Sequence, residues 1–207
     1  MRITPAPQLK TGDRVACVAA SSALQDDIKL QEGIAVLQSW GLDVQPQTLA
    51  SRRWGYFAGG DDTRHADLHP AEPAALLSCA RGGWGAARLL EQTIRWQSGW
   101  LLGFSDVTAL LWARQAARFA GGIHGPLLTT LAEEPHWSRD RLRNLLFGKA
   151  VPDLQGRGGG GGVGSGHKCL FSMAGIRVTW TGFLHGIFWS LSAHHRRPAA
   201  HGWGAQM

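Results

Sequence analysis

The chain has 207 residues, 44% of them hydrophobic, with 21 Lys and Arg against 15 Asp and Glu and a net charge of +6. That length suits one full core, or one domain plus a fragment, and the apolar share excludes a wholly disordered chain. Five basic residues (Arg157, Lys168, Arg177, Arg196, Arg197) and no carboxylate lie beyond residue 155, so the first 155 carry only +1 and show no basic face for nucleic acid.

Residues 14 to 19 read as a short buried strand that ends in the polar turn Ser21-Ser22. A helix follows with Leu30, Ile34 and Leu37 on one face and Gly41 as its stop, and Leu42 to Val44 reads as a second strand. Asp61 to Leu68 is polar and helix-compatible. Ala74 to Ala80 is a small apolar run that halts at Arg81-Gly82-Gly83, and Ala86 to Gln92 looks helical. Trp100 to Phe104 predicts another strand, and Asp106 to Arg118 a helix with Val107, Leu110 and Leu111 inward. Its acidic start and its late Arg114 and Arg118 suit the helix dipole. Gly122 to Pro126 predicts a short strand and turn; Ser138 then caps a last helix bearing Leu142, Leu145 and Leu146, closed by Gly148.

Strands alternating with helices at this spacing predict an α/β three-layer sandwich with a mainly parallel sheet over residues 1–150. Such sheets take ligands beyond the carboxyl ends of their strands. Arg81 to Gly85, Gly103 to Asp106 and His124-Gly125-Pro126 all fall at predicted strand ends, and neighbouring strands would bring them to one crevice.

Residues 151–207 differ in texture. Gly158 to Gly162 is an unbroken glycine run that behaves as a flexible linker, and the aromatic-rich remainder has no clear period. At ordinary usage about six carboxylates are expected in such a stretch, and none occurs after Asp153. From about residue 156 the tail therefore reads as irregular, out-of-frame or misassembled coding sequence joined to a genuine domain; a real variant with a reshaped tail is the competitor. Cys17, Cys79 and Cys169 are odd in number and widely spaced, which fits a reduced cytoplasmic setting. Cys79 reads as a buried strand residue before a nucleophile. No signal peptide is expected, and the apolar stretch around Trp180 to Leu191, broken by His185, is too short to span a membrane.

The local pattern Leu101-Leu102-Gly103-Phe104-Ser105-Asp106 places a serine on a sharp strand-to-helix turn beside helix-terminal N–H groups. It supports a nucleophile elbow, although Ser-Asp before a helix is more often an ordinary N-cap. Arg81 to Gly85 reads as a plain turn, a phosphate cradle or a close-approach loop. Its spacing is not that of a dinucleotide loop, and no acidic residue follows about 20 positions on. No metal and no cofactor is expected.

Several blocks in order resemble the N-terminal domain of the LD-carboxypeptidases, a serine peptidase family that includes muramoyltetrapeptide carboxypeptidase and microcin C self-immunity proteins. They are Leu9 to Val15, Gly55 to Asp61, Arg64 to Leu68, Arg81 to Gly85, Leu102 to Leu110 and His124-Gly125-Pro126. The resemblance implies Ser105 as nucleophile and the backbone N–H groups of Asp106 and Gly83 as the oxyanion hole. It also implies a murein peptide substrate that loses its terminal D-alanine in cytoplasmic peptidoglycan recycling, and a homodimer for the intact family. The family's triad glutamate and histidine come from a second domain that is not recognisable here. His167 sits in a Gly-His context unlike the family's, and His124 reads as a turn-stabilising residue. The chain is thus expected to be a truncated, impaired hydrolase, and the alternative is a non-catalytic module binding a small peptide or nucleotide.

Overall fold

The computed structural model describes residues 3–151 and 171–172. The glycine run, His167, Cys169 and the stretch Trp180 to Leu191 lie outside them. Five strands form a parallel sheet: β1 (Arg14–Val18), β2 (Asp43–Val44), β3 (Leu76–Cys79), β4 (Trp100–Gly103) and β5 (Gly122–His124), in the order β2-β1-β3-β4-β5. A two-residue strand, β6 (Phe171–Ser172), adds antiparallel at the β5 edge. Val18 pairs with Cys79, Ser78 with Leu102 and Gly103 with His124, so the central strands finish nearly level.

The strand sequences are near-continuous apolar runs because both sheet faces are covered. On one face Val15, Leu76, Leu102 and Ile123 cluster with Leu30, Ile34 and Leu37 of α1 (Ile28–Ser39), Leu128 and Leu131 of α4 (Leu128–Leu131), and Leu142 and Leu146 of α5 (His136–Leu146). On the other, Val18, Leu77, Cys79 and Leu101 meet Leu68, just after α2 (Asp61–Ala66), and Leu110 and Leu111 of α3 (Thr108–Ala116). The result is the expected three-layer sandwich. Among the described residues no helix is long and apolar enough to cross a membrane.

Three local expectations differ. Ala86 to Gln92 winds as a 3-10 turn (Ala87–Glu91), because one and a half turns cannot propagate an α-helix and tertiary contacts set the pitch. Ser138 is inside α5, not its cap: Pro135 occupies that place with φ −61°, and the Ser138 hydroxyl donates to Glu134 at 2.9 Å. Arg114 does more than answer a dipole. Only 1% exposed, it donates to the carbonyls of Ala120, Gln97 and Gly99 at 3.2, 3.0 and 2.6 Å. Burial pushes its guanidinium down to about 10, still charged at neutral pH.

Helices α1 and α4 meet with almost no gap at Gly33. A Cβ there would stand 1.9 Å from the Leu128 carbonyl oxygen, a backbone atom that cannot swing aside. Overpacking of this kind costs about 1–3 kcal/mol or more. Gly33→Ala is therefore expected to lower the urea unfolding midpoint by a corresponding amount, whereas Gly60→Ala, where a Cβ meets nothing and φ is −62°, leaves it nearly unchanged. Equal midpoints for the two variants would contradict this packing.

Candidate functional site

The loops that leave β1, β3, β4 and β5 are neighbours because the strands are. After β4 the chain turns through Gly103-Phe104-Ser105 straight into a 3-10 turn (Ser105–Val107) and then α3. Gly103 permits that sharpness: a Cβ there would sit 3.0 Å from Val107 Cγ1 and 3.1 Å from Cys79 Cβ. Ser105 is exposed and has φ +64°, one of two non-glycine residues with positive φ among those described. That conformation costs of order 1–2 kcal/mol and persists only where neighbours enforce it. An N-cap serine has extended backbone, so this one is not an ordinary cap. Its hydroxyl projects from a strained strand-to-helix turn, the geometry of a nucleophile elbow.

The glycine loop after β3 lies directly against the elbow. A Cβ at Gly82 would be 2.7 Å from Ser105 Cβ and 3.0 Å from its Oγ, so only glycine lets the backbone come this close. Gly83 has φ +116° and a second constraint: a Cβ there would meet Ser22 Oγ at 2.2 Å. Among the described residues the Gly83 N–H meets no acceptor. The Asp106 N–H lies in the first turn after the elbow, where helix amides lack carbonyl partners. The Gly82 backbone therefore packs against the Ser105 side chain, with Gly83 next in the loop and Asp106 next after the serine.

The loop is clamped along its length. Ser22 Oγ accepts the Trp84 N–H at 3.0 Å, and the Ser22 N–H donates to Gly82 O at 3.4 Å. Arg81 Nη1 donates to Ala23 O at 2.6 Å. Arg64, fully buried, sends Nη1 to Ala20 O at 2.5 Å and to Gly85 O at 2.9 Å, while its other terminal nitrogen pairs with Asp61. Asp61 also accepts from Arg88 Nη2 at 2.6 Å, and these two arginines hold its carboxyl below the usual carboxylate range. Asp106 Oδ2 accepts the Ala86 N–H at 2.7 Å, so the residue after the serine fixes the end of the glycine loop through its side chain.

The remaining candidates separate cleanly. Cys79 is fully buried and its thiol is pushed up by burial, so it is a core residue and not a thiolate nucleophile. His124 ends β5 half-buried, with its ring 6.2 Å from that of Phe104. The structural roles of Ser22, Arg64 and the Asp106 carboxylate were not read from the sequence, although the Ser21-Ser22 turn, the block opening at Arg64 and the acidic helix start at Asp106 marked their positions. Among the described residues no group of three or more His, Cys, Asp and Glu could hold a metal.

Comparisons with known proteins follow the same outline. A family model described as the LD-carboxypeptidase N-terminal domain matches residues 15–125. A protein named as a carboxypeptidase from Synechocystis is 41% identical over 74% of this chain and 52% of its own length. One named as a murein peptide carboxypeptidase from Bacillus subtilis is 35% identical over 59% of this chain and 40% of its own. The chain spans about half the length of the curated relatives it matches. Among solved structures, the microcin C7 self-immunity protein superposes with a TM-score of 0.59 at 18% identity, over 73% of this chain and 48% of that one. Muramoyltetrapeptide carboxypeptidase from Oxalobacter formigenes gives 0.53 at 21%, over 64% and 47%. At these identities the likeness is one of fold.

Burial holds both His65 and His124 below the ordinary histidine value of 6.5. The unfolded chain then binds more protons than the folded one between the lowered values and 6.5, so stability falls as pH drops through that window. The expected result is a decline in unfolding free energy from pH 7.5 to 5.5 in urea titrations, with a flatter slope in His65→Gln/His124→Gln. Stability rising toward pH 5.5 would contradict the assignment.

Proposed function

Because the chain belongs to the LD-carboxypeptidase family through its N-terminal domain, we propose that it is the nucleophile half of a serine carboxypeptidase acting on murein tetrapeptides. The observation that carries this reading is Ser105 at φ +64° with the Gly82-Gly83 backbone against its side chain. Ser105 Oγ attacks the carbonyl carbon that precedes the terminal D-alanine. The developing oxyanion is received by the N–H groups of Asp106 and Gly83. As the C–N bond breaks, D-alanine leaves with a proton on its nitrogen, and water then releases the peptide from the serine ester.

The proton on Ser105 needs a base for this sequence to run at a useful rate. Every carboxylate of the chain lies at or before Asp153. Those nearest the elbow have other duties: Asp106 holds Ala86, and Asp61 holds two arginines. The catalytic pair of the relatives' remaining half is the natural source of that base, and in cells the reaction belongs to cytoplasmic peptidoglycan recycling. A homodimer is the assembly proposed for the whole protein. The absence of an orienting carboxylate after Asp153 also favours a second reading, a module that binds a small peptide or a nucleotide without cleaving it.

Incubation of the 207-residue chain with a murein tetrapeptide, with D-alanine as the readout, is expected to show binding and little or no release. Robust release that disappears in Ser105→Ala would overturn the expected inactivity while supporting the nucleophile. Release unchanged in Ser105→Ala would overturn the nucleophile itself. Calorimetry that detects nucleotide and not muropeptide would favour the second reading.

A further inference from the structure

Arg81 is the residue that leads into Gly82, and it is exposed. Its Nη1 donates to Ala23 O at 2.6 Å, which fixes the guanidinium beside Ser22. Among the described residues no carboxylate approaches it as an ion pair. Most of its fork of donors is therefore open to a ligand. Ser22 is placed to work with it. Its Oγ lies against Gly83 and accepts the Trp84 N–H at 3.0 Å, so its own O–H remains to donate. Among the described residues no acceptor takes that proton.

The separation matters as much as the chemistry. Gly82 touches Ser105 and Gly83 touches Ser22, so a single peptide unit stands between the serine hydroxyl and this pair of donors. Consecutive Cα atoms are about 3.8 Å apart, and the same span separates a scissile carbonyl from the residue that follows it. A carbonyl held by the Gly83 N–H would bring the carboxylate of that next residue to Ser22 and Arg81. A longer C-terminal extension would run into them.

We propose that Arg81 and Ser22 form a subsite for a free carboxylate, that of the single C-terminal residue beyond the bond Ser105 attacks. The assignment rests on the reading of Ser105 as nucleophile and gives that reading its exopeptidase character. Arginine suits the task because its planar fork meets a carboxylate through two parallel hydrogen bonds that lysine cannot supply.

Calorimetry on the 207-residue chain with a murein tetrapeptide and with the same peptide as its C-terminal amide tests this without any variant. The free acid is expected to bind at least about tenfold more tightly, the discrimination of one charge-assisted pair. Arg81→Gln should bring the ratio of acid to amide affinity close to one, with the urea unfolding midpoint as the separate report of an intact fold. Arg81→Lys should fall between, and Ser22→Ala should lower the acid preference in part. Equal binding of acid and amide by the parent chain overturns the subsite while the peptide-site reading stands. An acid preference undiminished in Arg81→Gln overturns it too. Binding of neither peptide overturns both.

Discussion

The buried guanidinium of Arg64 is the interaction on which the crevice depends. It joins the chain after β1, the far end of the glycine loop and the start of α2 through Ala20 O, Gly85 O and Asp61, with its Cζ 4.7 Å from the Phe57 ring centre. Both terminal nitrogens of this buried charge are hydrogen-bonded, while its Nε has no partner among the described residues, and removing the side chain would leave two carbonyls without their donor. Gly85 completes the fit: a Cβ there would meet the Phe57 ring at 2.6 Å and Arg64 Nη1 at 2.8 Å. The loop is thus held from behind by a rigid polar strut, and its front is left for the serine.

Rigidity of this sort is what an oxyanion site requires. Backbone donors stabilise developing charge only if they need not reorganise when it appears. Here the positive φ of Ser105 stores strain that the surrounding contacts hold, while Gly83 takes its positive φ without cost. Asp106, the residue after the serine, ties its carboxylate to the Ala86 N–H at the end of the glycine loop. That carboxylate is committed to the Ala86 N–H and is not free to act as a base for Ser105.

Much of the fold was legible in the sequence, and for definite reasons. Strands buried on both faces are short apolar runs, and α1, with its stop at Gly41, has enough turns for its period to show. The four residues of α4 have no period to show, and Ser138 looked like a cap because the true one, Pro135 three residues earlier, has no side-chain acceptor to mark it. Arg64 and Arg114 were beyond local reading. Arg64 sits in a polar helix and Arg114 near the end of an amphipathic one, each as a surface cation would, and only tertiary packing reveals the carbonyls it serves. At the site, glycine and serine patterns located the elbow and its loop. The partner Ser22 and the clamp depend on which strands are adjacent, which local pattern does not encode.

The central claim is that Ser105 faces a preorganised oxyanion site made of backbone amides. A peptide boronic acid ending in place of the scissile carbonyl probes that directly, since boron becomes tetrahedral only when a serine oxygen adds to it and the resulting anion is held. Boron NMR of the 207-residue chain with this probe should show a tetrahedral adduct that is absent in Ser105→Ala and much weaker in Gly83→Ala. A signal that stays trigonal, or an adduct that survives Ser105→Ala, would contradict the account.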